Sequence, residues 1–356
     1  MDSLDVRLTR SIQSLAVTAP LELTKEVFIN DEGELRCGWR IALFAICLIL
    51  ASFITAGVLA TISQLIPSLP LTVEPSDPRE YLSARELIYL ITSRAAALIA
   101  VVAATAVCAP LLEHRSFGSV GFKLHRRWWR DALLGCAMGG AAIALAVGVM
   151  KLARAVTFEP ATHAGAEIAQ RSMLLAGAAA AILFLVAATF EELLFRGFVF
   201  QALLHNIGPV AAIALTSLPF GIAHLRNPSA TAFSTINTVL AGVWLGAAYL
   251  ATRSLWLATA LHFSWNFVMA FFFGLPVSGL VTVDRLALVH GRSGSPEWLS
   301  GGSYGPEGGF AATIVLVVAT VFIWRSRVFR PSDEMKAAVT HANPAMSNSE
   351  SHPTEA

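Results

Sequence analysis

The sequence predicts an all-α, polytopic membrane protein with about eight transmembrane helices, and three observations carry that prediction. Of its 356 residues, 55% are hydrophobic and only 14% charged, whereas charged residues make up about a quarter of an ordinary soluble domain. Mean hydropathy is +0.64. The apolar residues gather into runs of roughly the 20 residues that a helix needs to cross the hydrocarbon of a bilayer. Lys and Arg then concentrate in alternate connections between those runs.

The expected spans are 41–64, 87–112, 132–150, 173–203, 208–226, 233–251, 255–274 and 310–324. Before them, residues 1–40 form a polar segment of mixed charge without an apolar stretch that ends in a small-residue cleavage site, so the first span is read as an uncleaved start of insertion. Arg115, Lys123, Arg126, Arg127 and Arg130 of the 113–131 loop, with the cations of both terminal segments, outnumber those on the opposite connections. By the positive-inside rule both termini are then cytoplasmic, in a plasma (inner) membrane crossed many times. The run Arg126-Arg127-Trp128-Trp129-Arg130 reads as an interfacial anchor, with Trp at headgroup depth and Arg on lipid phosphate. Residues 275–309 form a Gly- and Ser-rich loop on the non-cytoplasmic side, and the polar tail 331–356 reads as disordered.

Composition excludes two function classes. A net charge of +1 lacks the concentrated basic face of a nucleic-acid binder, so the lipid bilayer and membrane-associated molecules are the expected partners. Cys37, Cys47, Cys108 and Cys136 lie in or beside apolar segments without CxxC spacing; they read as buried small residues, not as a disulfide framework or thiolate metal site.

Ionisable residues inside the spans are the informative ones, because each is costly in hydrocarbon. Between Met173 and Leu204 the only Asp, Glu, Lys or Arg residues are Glu191, Glu192 and Arg196. Glu192 and Arg196 are four apart, in the favourable order for an ion pair, and Glu191 is turned about 100° away. Phe220 and His224, then His262 and Asn266, repeat the same spacing in later spans. Counted at 1.5 Å per residue from the expected cytoplasmic helix ends, Glu191 lies ~18 Å deep, His224 ~22 Å, His262 ~12 Å and Asn266 ~18 Å. Three helices thereby put a Glu, two His and an Asn in one layer. Taken singly, each histidine or the asparagine is also an ordinary helix-to-helix hydrogen bond. Arg94, within two turns of the outer end of the second span, reads as a cation that snorkels or pairs there.

The motifs Glu191-Glu192-x-x-x-Arg196, Phe220-x-x-x-His224 and His262-x-x-x-Asn266, in that order, resemble the three motifs of the CPBP family of intramembrane proteases, the CAAX prenyl endopeptidase or Abi family of Ras-converting-enzyme type. The surrounding Phe195-Arg196-Gly197, Ser254-Leu255-Trp256-Leu257 and Phe117-Gly118-Ser119-Val120-Gly121-Phe122 are similar as well. The resemblance covers 173–274 and implies a catalytic helical core there, with spans one to three and eight around it. It implies a peptide-bond hydrolase acting on membrane-associated protein or peptide substrates. Glu191 and His224 would hold and deprotonate water, and His262 and Asn266 would form the oxyanion hole.

The preferred mechanism requires no cofactor. Zinc held by Glu191, His224 and His262 is the alternative, since Glu and two His with water are an acceptable catalytic ligand set. No His-Glu-x-x-His pair lies on a single helix. A different class of function keeps the same residues as a binding site, in an immunity, scaffold or transport protein, although no internal repeat of the transporter kind is present in the sequence. Pro219, directly before Phe220, is expected to break or kink its helix below His224.

Overall fold

A computed structural model describes residues 27–30, 33–67, 69, 71, 84–160, 166–280 and 287–340. Eight principal helices occupy the eight expected places: α1 (Cys37–Leu65), α2 (Ala84–Glu113), α3 (Trp128–Leu152), α4 (Ala166–Arg196), α5 (Phe198–Ala223), α6 (Ala232–Thr252), α7 (Leu255–Phe267) and α8 (Phe310–Arg325). Six helical runs among the described residues are long and apolar enough to cross a membrane. The expected count falls to that number for two reasons. Met173–Ala223 is a single 51-residue run that holds two expected spans, and α8, with 16 residues, is shorter than a spanning helix.

That long run is jointed. Gly197 leaves helical geometry at φ −78°, ψ −124°, and a Cβ there would lie 2.1 Å from the Leu193 carbonyl oxygen, so the joint requires glycine. α4 therefore ends at Arg196, and the expected span 173–203 does not continue through it. Residues 198–207 form a separate segment, divided from 209–223 by Gly208 at φ 82°. Phe198 of this segment stacks on Phe44 of α1 at 4.8 Å. The depth counted from Leu203 thus loses its reference, because the chain leaves helical geometry at Gly197 between Leu203 and Glu191. Pro219 does not break α5, whose only non-helical residue is Gly208. The helix instead ends just after it, with His224 as its C-cap.

α3 packs along α7 so closely that a Cβ on Gly135 would lie 2.7 Å from the Leu257 carbonyl oxygen, and one on Gly139 2.3 Å from that of Leu261. Gly135-Cys136-Ala137-Met138-Gly139 thus acts as a small-residue seam that lets two backbones approach. Ile143 and Met150 of α3 continue the contact into the main core with Leu257, Leu261 and Trp265 of α7 and Trp244 and Leu245 of α6. α3 is thus the helix on which α7 rests.

α6 opens with a capping box, in which Thr231 accepts from Ser234 N and Ser234 accepts from Thr231 N. α7 passes into a π-helical turn over Val268–Phe272, one residue after Phe267 and two after Asn266. The 275–309 connection is ordered over its described residues. Its β2 (Val289–Ser293) pairs antiparallel with β1 (Val156–Pro160), Val156 opposite Ser293 and Pro160 opposite Val289. The tail expected to be disordered begins with helix α9 (Asp333–Thr340). Ser332 caps it, accepting from Met335 N, and Asp333 and Glu334 fill the first turn where the helix dipole favours negative charge. Most of the N-terminal segment and residues 341–356 lie outside the described residues.

The seam yields a direct test. Gly139→Leu should destabilise the protein by about 2 kcal/mol or more, the range for overpacking a tight contact. Gly148→Leu on the same helix, where a Cβ meets nothing within 4 Å, should change the unfolding midpoint in detergent little; equal losses in both variants would refute the seam.

Candidate active site

The site grows from the last two turns of α4. Helical spacing puts Glu192 and Arg196 on one face, and packing buries both side chains completely. Arg196 Nη1 donates to Glu192 Oε1 at 3.2 Å, and its Nη2 donates to the Gly242 carbonyl of α6 at 2.9 Å. The guanidinium also lies 4.7 Å from the centre of the Phe220 ring on α5, a cation–π contact. One cation thus ties α4 to α5 and α6.

Glu192 reaches further than its ion pair. Its Oε1 also accepts from His262 Nδ1 of α7 at 2.9 Å. A carboxylate can only accept, so Nδ1 carries the hydrogen and the ring turns Nε2 outward. Nε2 faces Glu191, whose Oε2 lies 3.7 Å away. Glu191 Oε2 is shielded from solvent and has no hydrogen-bond partner among the described residues, and the Glu191 side chain retains 19% exposure. The arrangement is a relay of charged and polar groups: Arg196, Glu192, His262, Glu191.

Glu191, His224, His262 and Asn266 all line a single cavity of ≈ 360 Å³. The His224 ring is turned by its own helix, because Nδ1 lies 2.8 Å from the Phe220 carbonyl oxygen. That oxygen accepts only, so Nδ1 holds the hydrogen and Nε2 is the basic atom. Phe220 separates the two histidines, with ring centres 5.0 Å from His224 and 6.0 Å from His262. Glu191 lies nearer to His262, 3.7 Å from its Nε2, and His224 enters the same cavity from α5. Asn266, one turn beyond His262, makes no hydrogen bond to another described residue.

Among the described residues no three His, Cys, Asp or Glu side chains come together as a metal-ligand set. Glu191, His224 and His262 do not form such a group among the described residues. The Nδ1 atoms of both histidines are engaged by Glu192 and the Phe220 carbonyl.

Other residues of the lining escaped the sequence reading. Glu307, from the 275–309 connection, enters the cavity wall and accepts from Trp265 Nε1 at 3.0 Å, Ser278 N at 2.6 Å and Ser278 Oγ at 2.7 Å. Asn237 of α6 donates to the Glu307 and Gly309 carbonyls at 2.9 and 3.0 Å. Asn237, polar within an apolar span, was a visible signal; Glu307, in a loop of Gly and Ser, carried none. Arg94, read as a cation that snorkels or pairs, is partly buried and lines the cavity as well.

This geometry brings together residues of the three motifs, and they fall within one family match. Residues 172–268 match the family model of the type II CAAX prenyl endopeptidase Rce1-like proteins. The match runs from α4 to the start of the π turn, holds all four candidate catalytic residues and the Glu192–Arg196 pair, and bears out the resemblance drawn from the motifs. It covers a little over a quarter of the chain. No curated protein and no solved structure matches.

Removing one member of a buried charge pair leaves the other uncompensated, which costs about 3–5 kcal/mol. Glu192→Ala and Arg196→Met should each lower stability by that amount in denaturant unfolding in detergent. Glu191→Gln, altering a carboxylate that has no hydrogen-bond partner among the described residues, should stay within about 1 kcal/mol of wild type; an equal loss there would overturn the division into support and cavity carboxylates.

Proposed function

We propose that the protein is an intramembrane endopeptidase that hydrolyses peptide bonds of membrane-associated protein or peptide substrates, with Glu191 as general base. The observation that carries this reading is the contact of Glu191 with a histidine whose tautomer Glu192 sets, inside a cavity that also holds His224 and Asn266. The family match to CAAX-type endopeptidases supports it.

In this reading water is held between Glu191 and the basic Nε2 of His224. Glu191 takes a proton from it as the oxygen attacks the scissile carbonyl carbon, and the carbonyl electrons move onto the oxygen. Proton transfer from Glu191 to His262 Nε2 leaves an imidazolium between two carboxylates. Its Nε2–H and the Asn266 amide then donate to the oxyanion. Collapse re-forms the carbonyl and breaks the C–N bond, and the leaving nitrogen takes the His262 proton. Arg196 and Glu192 stay in place throughout, orienting the ring. No metal is needed in this sequence. The protein sits in a plasma (inner) membrane in this reading, and the distribution of Lys and Arg puts both termini on its cytoplasmic side.

The test is cleavage of a membrane-presented, dye-quenched peptide by purified protein in lipid nanodiscs. Glu191→Gln should lower kcat by about 10²–10⁴-fold, the usual contribution of a positioned general base. Asn266→Ala should cost about 10²–10³-fold, as for a lost oxyanion donor. If wild type and Glu191→Gln perform alike, both in cleavage and in a cellular phenotype, the residues serve a non-catalytic immunity, scaffold or transport protein instead. Zinc measured in active protein should fall well below one per chain, and chelation should leave the rate unchanged; stoichiometric zinc whose removal abolishes cleavage would refute the metal-free mechanism.

A further inference from the structure

Arg94 is the only Asp, Glu, Lys or Arg between Glu86 and Glu113 in α2. It is partly buried and lines the same cavity as Glu191, His224, His262 and Asn266. A guanidinium in an apolar helix is normally neutralised, and the two other buried cations of helices follow that rule. Arg196 is paired with Glu192, and Arg40 with Glu34 and Glu113. Arg94 has no ion pair or hydrogen bond to another described residue. Neither carboxylate of the lining makes such a pair with it: Glu307 accepts from Trp265 and Ser278, and Glu191 faces His262.

We propose that Arg94 binds a carboxylate of the peptide substrate, and so selects peptides that place a negative charge at a set distance from the scissile bond. Arg presents a planar fork that a carboxylate meets with two parallel hydrogen bonds, and partial burial strengthens such a pair relative to water. The charge of the lining favours a singly charged anion over a doubly charged phosphate, because Glu191 and Glu307 share the cavity with the one guanidinium. The assignment rests on the endopeptidase reading for the identity of its ligand as a peptide. Arg94 takes no part in proton transfer; it is a positioning and specificity residue.

The experiment uses full-length protein in phosphatidylcholine nanodiscs and dye-labelled peptides in matched forms. One pair differs in a free or amidated C-terminus, the other in Glu or Gln side chains. Kd is measured in a Glu191→Gln background with and without Arg94→Gln, and kcat/KM in wild type and Arg94→Gln. Wild-type Arg94 should favour the acid over its neutral partner by about 10- to 100-fold in one of the two pairs, and Arg94→Gln should bring that ratio close to one. The pair that responds tells a terminal from a side-chain carboxylate. Arg94→Lys, which keeps the charge but not the fork, should fall between, and it carries the test if Arg94→Gln does not fold.

Equal affinity for acidic and neutral peptides overturns the proposal. So does an Arg94→Gln loss that is the same for both, since a purely structural role moves affinity without moving the ratio. Competition by phosphatidic acid with no dependence on peptide charge would assign Arg94 to lipid phosphate and overturn it as well. An acid preference in binding, lost on substitution, with no cleavage by wild type would sink the endopeptidase reading and leave this assignment standing.

Discussion

A single buried carboxylate holds the site together. Glu192 Oε1 accepts from both Arg196 and His262, so one oxygen joins two turns of α4 to the middle of α7, while Arg196 extends the connection to α6 through the Gly242 carbonyl. Two charges without solvent are expensive, and mutual attraction offsets that cost only when geometry and remaining hydrogen bonds are good. The gain is orientation. With Nδ1 committed to Glu192, His262 has one free nitrogen and one direction for it, toward Glu191.

Around this point the helices are brought close by residues with almost no side chain. α3 meets α7 at Gly135 and Gly139, and α4 turns into α5 at Gly197. In a membrane, water does not drive apolar helices together, so close backbone packing and polar contacts must do so. The result is a core that is tight on the α3 side of α7 and open on the side of Glu191 and His262. The 275–309 connection closes part of that opening. Glu307 fastens it to Trp265, the residue directly before Asn266, so the wall of the cavity and the helix that carries Asn266 share one anchor.

Much of this was legible along the chain. Apolar runs located all eight helices, because the 20-residue requirement of a bilayer leaves a strong signal. The i,i+4 spacings placed Glu192 with Arg196, and the cost of charge in hydrocarbon marked Glu191 as the group needing a reason. The count of spans and the ends of helices were less legible. Gly197 is a weak stop signal within an apolar run, so the expected fourth span ran past it to residue 203. Ser332-Asp333-Glu334 was a readable helix start within a tail whose composition suggested disorder.

The sequence by itself determined the class of protein and the pairing of Glu192 with Arg196, since each follows from composition or from the period of one helix, and its three motifs singled out Glu191, His224, His262 and Asn266 as candidates. Only the tertiary structure decided which partner each group meets between helices. It gave Glu191 to His262, shared Glu192 between Arg196 and His262, brought Glu307 in from a distant loop, and turned Arg94 from the lipid to the cavity. The physical reason is that helical period fixes which residues share a face but not the rotation of that face against its neighbours. That rotation is set by packing at Gly135 and Gly139 and by the buried Arg196–Glu192–His262 contacts, which join residues up to 70 positions apart.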